Sequence, residues 1–328
     1  MDGREHQAFI LFSSLGPLIG LVVAIVFAWN DIFFTTDAIL LLCGWFVCAT
    51  GVTIGYHRLL THRSFETYRP IRFMFVAFGA IAGQGPPITW AAHHRRHHRL
   101  ADKPGDPHSP YADEQPGIRG AFKGLWHAHL GWLFNKDLTS DPIRYCPDLV
   151  RDKDMRFISN HFGWFVLAGL LLPGLIGWAI TGTLLGFATG VLWGGLVRWF
   201  LSNHVTYAIN SIGHYFGRRR FATSDESRNV SWLALISFGE AWHNNHHAFP
   251  RSYTHGMRWY EVDVSALIIN ALERLGLAWE VVRIPREVMD RKAESLARVG
   301  GGRRAPSAPS VPMAERRGPI TVSATDVD

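Results

Sequence analysis

The chain has 328 residues, 48% hydrophobic content, 13 Trp, 21 Phe and a formal net charge of +6. Length alone allows one large domain or two small ones. Three cysteines, Cys43, Cys48 and Cys146, make no disulfide framework and read as small packing residues.

From the N-terminus, Met1-Asp-Gly-Arg-Glu-His6 is mixed in charge and does not read as a cleavable signal peptide. Ile10 to Trp29 carries no charge, and neither does Ala38 to Tyr56. Phe162 to Val197 is a longer uncharged stretch, roughly twice the ~20 residues that cross a bilayer. It reads as a helical hairpin turning near Thr181-Gly182-Thr183. The prediction is four spans, at 9–29, 38–56, 162–181 and 184–201, in two hairpins. No Lys or Arg lies between His6 and His57, nor between Arg156 and Arg198, so all 33 basic residues fall on one side. Positive loops stay in the cytoplasm, which predicts cytoplasmic termini and a cytoplasmic helical cap at 57–161 and 202–285. This rule and contact with anionic lipid account for the positive charge without nucleic acid.

Phe73 to Pro86 is apolar but short, and reads as a helix at the membrane interface. Val264 to Leu277 reads as an amphipathic surface helix. Residues 1–285 form the expected membrane domain. Residues 286–328, rich in Gly, Pro, Ser and Arg towards the end, are expected to be a disordered basic tail. No Gly-rich dinucleotide loop and no iron–sulfur cysteine spacing is present.

Histidine carries the chemistry. Three clusters stand out: His57 and His62; His94, His97 and His98; His243, His246 and His247. His214 is an outlier in Asn210-Ser-Ile-Gly-His214. On a helix His-x-x-His-His points three imidazoles into an arc of about 100°. His93 falls outside that arc. His57 and His62, five apart, converge only if the helix frays or turns near Leu60-Thr61. One zinc ion takes four ligands, so nine imidazoles suffice for two ions. His6, His108, His127, His129, His161, His204 and His255 read as ordinary polar residues. Nitrogen ligands alone do not choose among iron, zinc and copper. The few nearby carboxylates, Asp102, Asp106 and Glu240, argue against magnesium or calcium.

Several segments together resemble the membrane-bound fatty acyl desaturases, most closely the bacterial stearoyl-CoA (delta-9 acyl-CoA) desaturases. They are Gly55-Tyr-His-Arg-Leu-Leu-Thr-His-Arg-Ser-Phe65, Trp90-Ala-Ala-His-His-Arg-Arg-His-His98, Asp106-Pro-His108, His129-Leu-Gly-Trp132, Asn210-Ser-Ile-Gly-His214 and Gly239-Glu-Ala-Trp-His-Asn-Asn-His-His-Ala-Phe-Pro250. The resemblance implies an all-α integral membrane protein with a di-iron site. One iron would take His57, His62, His94, His98 and His247, the other His97, His214, His243 and His246, with Asn210 holding a water. It implies an oxygen- and electron-consuming reaction that places a cis double bond, at delta-9, in a C16–C18 acyl-CoA. A bent tunnel would set the position through Gln84, Trp90 and Thr206 and the chain length through Trp45 and Ala49.

The chain departs from the animal enzymes at the tunnel mouth, where Gly85, Ala92 and His93 replace groups that grip coenzyme A. Arg95, Lys136 and Arg218-Arg-Arg220 are candidate phosphate contacts, and a phospholipid-borne chain is the alternative substrate. A related lipid or alkane hydroxylase, a zinc hydrolase and a metal-storing protein are the competing readings. Electrons are expected from an external ferredoxin or a flavin-containing NADPH reductase docking on the basic face. The expected location is the bacterial cytoplasmic membrane.

Overall fold

The computed structural model describes residues 3–111 and 117–300, with side chains over 7–111 and 117–295. Four helices are long and apolar enough to cross a membrane: Gln7–Trp29, Thr35–Thr61, Phe162–Thr181 and Leu184–Tyr215. A chain in lipid must satisfy every backbone N–H and C=O within itself, and helices do so.

The first span lies in α1 (Gly3–Trp29). The second begins as α2 (Thr35–Thr50), where Asp37 Oδ2 accepts the Phe34 N–H at 3.0 Å. It continues as a π-helix over Gly51–Thr61. The third is α9 (Phe162–Thr181), which stops at Gly182 in the left-handed conformation (φ 69°). Thr183 then caps α10 (Leu184–Gly190) by accepting from Gly186 N. The turn thus falls on the expected triplet. The fourth span runs through a π-helical stretch, Val191–Val197, into α11 (Arg198–Tyr215).

The second and fourth spans therefore extend past their expected ends at 56 and 201. Apolar run length marks where lipid contact ends, whereas a helix continues wherever protein still covers it. That continuation carries His57 and His214 away from the apolar runs on rigid elements.

Between the second and third spans lie α3 (Arg69–Ile81), α4 (Pro87–Leu100) and α5 (Gly117–His129). Three short helices follow: α6 (Pro142–Tyr145), α7 (Pro147–Arg151) and α8 (Lys153–Asn160). Helix α3 lies against the first π-helix so closely that a Cβ on Gly51 would sit 2.1 Å from Gly79 N. Small residues permit such backbone approach, so α3 is packed on the spans with Val76 and Ala80 fully buried. The main core joins Tyr56, Val76, Ile88, Met155, Ile158 and Trp199.

After α11 come α12 (His243–Ala248), α13 (Val264–Arg274, capped by Asp263) and β2 (Ala278–Trp279), which pairs antiparallel with β1 (Glu66–Thr67), the two-residue strand before α3. The expected tail from residue 286 is corrected over its first part: α14 spans Arg286–Gly300. Its apolar side, Val288, Met289 and Ala293, packs on Phe221 and Phe249, and Lys292 Nζ donates to Ala248 O at 2.6 Å. An amphipathic turn that finds a partner is stable where composition alone suggests a tail. Residues 301–328 lie outside the described residues.

Candidate metal centre

The histidines arrive on four elements. His57 sits in the first π-helix and His62 caps its end, with His62 N–H bonded to His57 O at 3.1 Å. That i→i+5 bond defines a π-helix. It brings residues five apart round to one side, which an α-helix does not, and so the helix neither frays nor turns. Helix α4 supplies His94, His97 and His98, α11 supplies His214, and α12 supplies His243, His246 and His247.

These nine imidazoles form two groups, and within each group the ligand nitrogens all lie within 4.8 Å of one another. One holds His57, His62, His94, His98 and His246; the other holds His97, His214, His243 and His247. The expected partition is thus corrected at two positions, His246 and His247, which exchange places. The rule is simple. In α4 the i,i+4 pair His94 and His98 stays together while His97 crosses to the other group. In α12 the i,i+4 pair His243 and His247 stays together while His246 crosses.

Every close contact within the groups is Nε2 to Nε2. In the first group His57–His246 is 3.1 Å, His62–His94 3.1 Å, His94–His98 3.0 Å and His98–His246 2.8 Å. In the second, His97–His247 is 3.3 Å, His247–His243 3.1 Å and His214–His243 3.0 Å. A zinc-like ion binds imidazole nitrogen at about 2.0–2.1 Å, so two ligands at right angles lie about 3 Å apart.

The protonation pattern tests the fit further. His97 Nδ1 donates to Asp106 at 2.9 Å, His214 Nδ1 to Asp102 at 2.8 Å and His247 Nδ1 to Asp225 at 3.0 Å. A neutral ring with its proton on Nδ1 presents only a lone pair at Nε2. Two such rings at the 3.3 Å spacing of His97 and His247 face each other lone pair to lone pair, which repels unless a cation lies between. Burial, then the mutual repulsion of clustered imidazoles, holds His62, His94, His98, His243 and His246 well below the usual histidine range. Burial brings His247 down to about 4 despite Asp225. These rings are neutral at pH 7, as ligands must be. The donor set fits two ions of the nitrogen-loving transition metals.

Two residues read as ordinary polar groups are corrected here: His108 and His255 are buried. His108 lies against His97 with ring centres 4.3 Å apart. His255 lies 4.4 Å from the His246 ring, beside Arg58 and Glu240. Fully buried Arg58 ties Glu240 and Asp263 together, and Glu240 lies 2.5 Å from His57 Nδ1, off the line of a hydrogen bond. His129 and His204 pair with each other at 2.9 Å, and His161 is exposed, as expected. The side chain of His6 lies outside the described residues. Asp225 escaped the sequence reading because it is 22 residues from its partner, a distance no helical spacing reveals.

A cavity of about 650 Å³, open solvent at its mouth included, reaches this centre. Its wall includes His57, His94, His243 and Glu240, together with Trp45, Ala49, Gln84, Trp90, Thr206 and Asn210. All five residues expected along a tunnel thus line one space, with Asn210 beside them. Trp90 stacks on His94 with ring centres 5.1 Å apart. Gln84 Nε2 donates to Thr206 Oγ1 at 2.8 Å.

The candidate phosphate contacts fare differently. Arg95 spends its five N–H groups on Leu60 O, Thr61 O, Tyr145 O and both oxygens of Asp148. It is a clamp between α4, the first π-helix and α7, with no donor left for a phosphate. Arg219 pairs with Glu226 and Arg220 with Glu261. Lys136 is exposed.

The fatty acid desaturase family profile matches residues 9–272. The chain belongs to this family. It is 39% identical over 282 residues to a hex-5-enoyl-[acyl-carrier protein] acetylenase of Moorena producens, covering 86% of this chain and 87% of that protein. An sn-1 stearoyl-lipid 9-desaturase of Anabaena variabilis is 37% identical over 272 residues, 81% of this chain and 90% of the other. An acyl-CoA C20 Delta5-desaturase of Anemone leveillei is 36% identical over 269 residues, 81% and 78%. The fatty acid desaturases are oxidoreductases, and the four apolar helices and clustered histidines of this member accord with membrane association and metal binding.

Proposed function

We propose that this desaturase introduces a cis double bond at the ninth carbon of a saturated C16–C18 acyl chain, using two iron ions held by the nine histidines. The observation that supports the reading is one cavity whose wall holds Trp45, Ala49, Gln84 and Thr206 together with His57, His94 and His243. The balanced reaction consumes one saturated chain, O2, two electrons and two protons, and yields the cis chain and two waters. When bound, the iron pair supplies oxygen activation.

The protein's own residues do the rest. The methylenes of a saturated chain are chemically alike, so position comes from geometry. The Gln84–Thr206 hydrogen bond and the Trp90 ring shape the cavity beside His94. Trp45 closes the far end and sets chain length, and Asn210 orients a water near the second histidine group. Asp102, Asp106 and Asp225 hold their rings with Nε2 towards the metals.

The engagement of Arg95 favours an acyl chain carried on a membrane lipid over one carried on coenzyme A. Acyl-CoA is the second reading, with exposed Lys136 as its phosphate contact. Electrons come from an external ferredoxin or a flavin-containing NADPH reductase. The absence of Lys and Arg between His6 and His57 and between Arg156 and Arg198 supports a bacterial cytoplasmic membrane with both termini and the centre on its cytoplasmic side.

Expression in a host lacking delta-9 desaturation tests the reading. Mass spectrometry of extracted lipids should find cis-9 C16 or C18 chains, and the purified protein should hold two irons. Hydroxylated chains, or no new product with iron loaded, would overturn it.

A further inference from the structure

The two histidine groups differ in what stands behind them. In the His97, His214, His243 and His247 group, three of the four rings turn Nδ1 onto an aspartate. Each carboxylate is itself fixed. Asp102 accepts from Ser109 Oγ at 2.7 Å and from Glu226 N at 2.8 Å. Asp106 accepts from Asp102 N and His108 N. Asp225 accepts from Ser227 N and Oγ. Among the described residues the other group has one carboxylate neighbour, Glu240, and Glu240 shares its charge with fully buried Arg58.

We propose, resting on the two-metal reading above, that the two positions are unequal. The His97–His214–His243–His247 position is the tight one and fills first, and Asp102, Asp106 and Asp225 are the positioning residues that make it so. The five-histidine position is the weak, exchangeable one. Two causes act together. A carboxylate on Nδ1 fixes the ring's orientation and makes Nε2 a stronger donor, and losing such a partner weakens metal binding by about 10–100-fold. Three buried negative charges also favour a cation at the position they surround. More ligands at the other position do not offset this, because its five rings are held without comparable support.

Asp102→Asn isolates the charge. The asparagine oxygen still accepts from His214 Nδ1 and Glu226 N, and the Ser109 hydroxyl reverses to accept from the new NH2. The full-length protein in detergent, stripped by a chelator, is titrated with Co2+ and followed by visible absorption. The wild type should take two ions in two separate steps. Asp102→Asn should weaken the first step about 10–100-fold and leave the second in place; Glu240→Gln should move only the second. Two ions taken in equal steps, or both steps moving together in Asp102→Asn, would overturn the proposal alone. Uptake of no more than one ion by the wild type would overturn the two-metal reading and the proposal with it. Should Asp102→Asn not fold, the half-loaded spectrum decides: it should survive in His62→Ala and vanish in His214→Ala, and the reverse refutes the assignment.

Discussion

Gln84 and Thr206 lie 122 residues apart in the chain and meet through a 2.8 Å hydrogen bond inside the cavity. Gln84 Nε2 also donates to Ser202 O, so the loop after α3 is tied to α11 where the cavity passes the metal centre. Thr206 Oγ1 in turn donates to Ser202 O at 3.2 Å, so Thr206→Val removes two bonds, about 1 kcal/mol each, and loosens that tie. Double bonds should spread to carbons neighbouring the ninth, as read by mass spectrometry of derivatised products. An unchanged positional profile would exclude this pair from positioning.

Trp45 lines the cavity together with Cys48 and Ala49, and in the proposed function it forms the end of the tunnel. Trp45→Ala should admit chains longer than C18, with up to about 3 kcal/mol of stability lost for the removed ring. Feeding a mixed-length acyl pool and measuring the product lengths checks this. The same length profile in both proteins would remove Trp45 from that role.

Alanine at His94, His97, His214 or His246 should abolish desaturation and lower bound iron from two ions, because each removes a nitrogen that faces its group. His93→Ala is the contrast. His93 Nδ1 meets Ser140 Oγ at 3.0 Å and its ring packs on Trp132, so iron content and activity should stay near wild type. Iron loss in His93→Ala would contradict the ligand set.

Arg95→Ala should act on stability and not on substrate choice. Its guanidinium bridges Leu60, Thr61, Tyr145 and Asp148, and losing charged hydrogen bonds of this kind costs about 2–3 kcal/mol. Thermal unfolding should shift down while the preference between acyl-CoA and lipid-borne chains holds. A protein of normal stability with a raised KM for acyl-CoA alone would restore Arg95 as a phosphate contact.

Asp148 makes the same clamp sensitive to acid. Desolvation pushes its carboxyl up, but hydrogen bonds from Arg95 and Arg63 outweigh that and hold it at about 2. An unfolded aspartate titrates at about 3.9. The folded value is the lower one, so the contribution is complete above about pH 4 and is lost as pH falls towards 2. Unfolding curves between pH 5 and 2 should fall less steeply in Asp148→Asn than in the wild type. Parallel curves would show that the pair does not titrate with unfolding.

The sequence by itself determined the number of apolar spans and the turn at Gly182, because run length and a left-handed glycine are local properties. It also singled out all nine histidines, since spacing on a helix is local too. Tertiary structure decided how those histidines divide. His246 and His247 are adjacent in the chain and serve different groups, because neighbouring rings on a helix point about 100° apart: His246 meets His57 and His98, while His247 joins His243 and meets His97. The same holds for Arg95, whose charge suggests a phosphate until Asp148 and three carbonyls close round it. Asp225 reaches His247 only through a loop that the fold brings back. Spacing reports what one helix presents; which metal position a ring serves depends on what faces that helix.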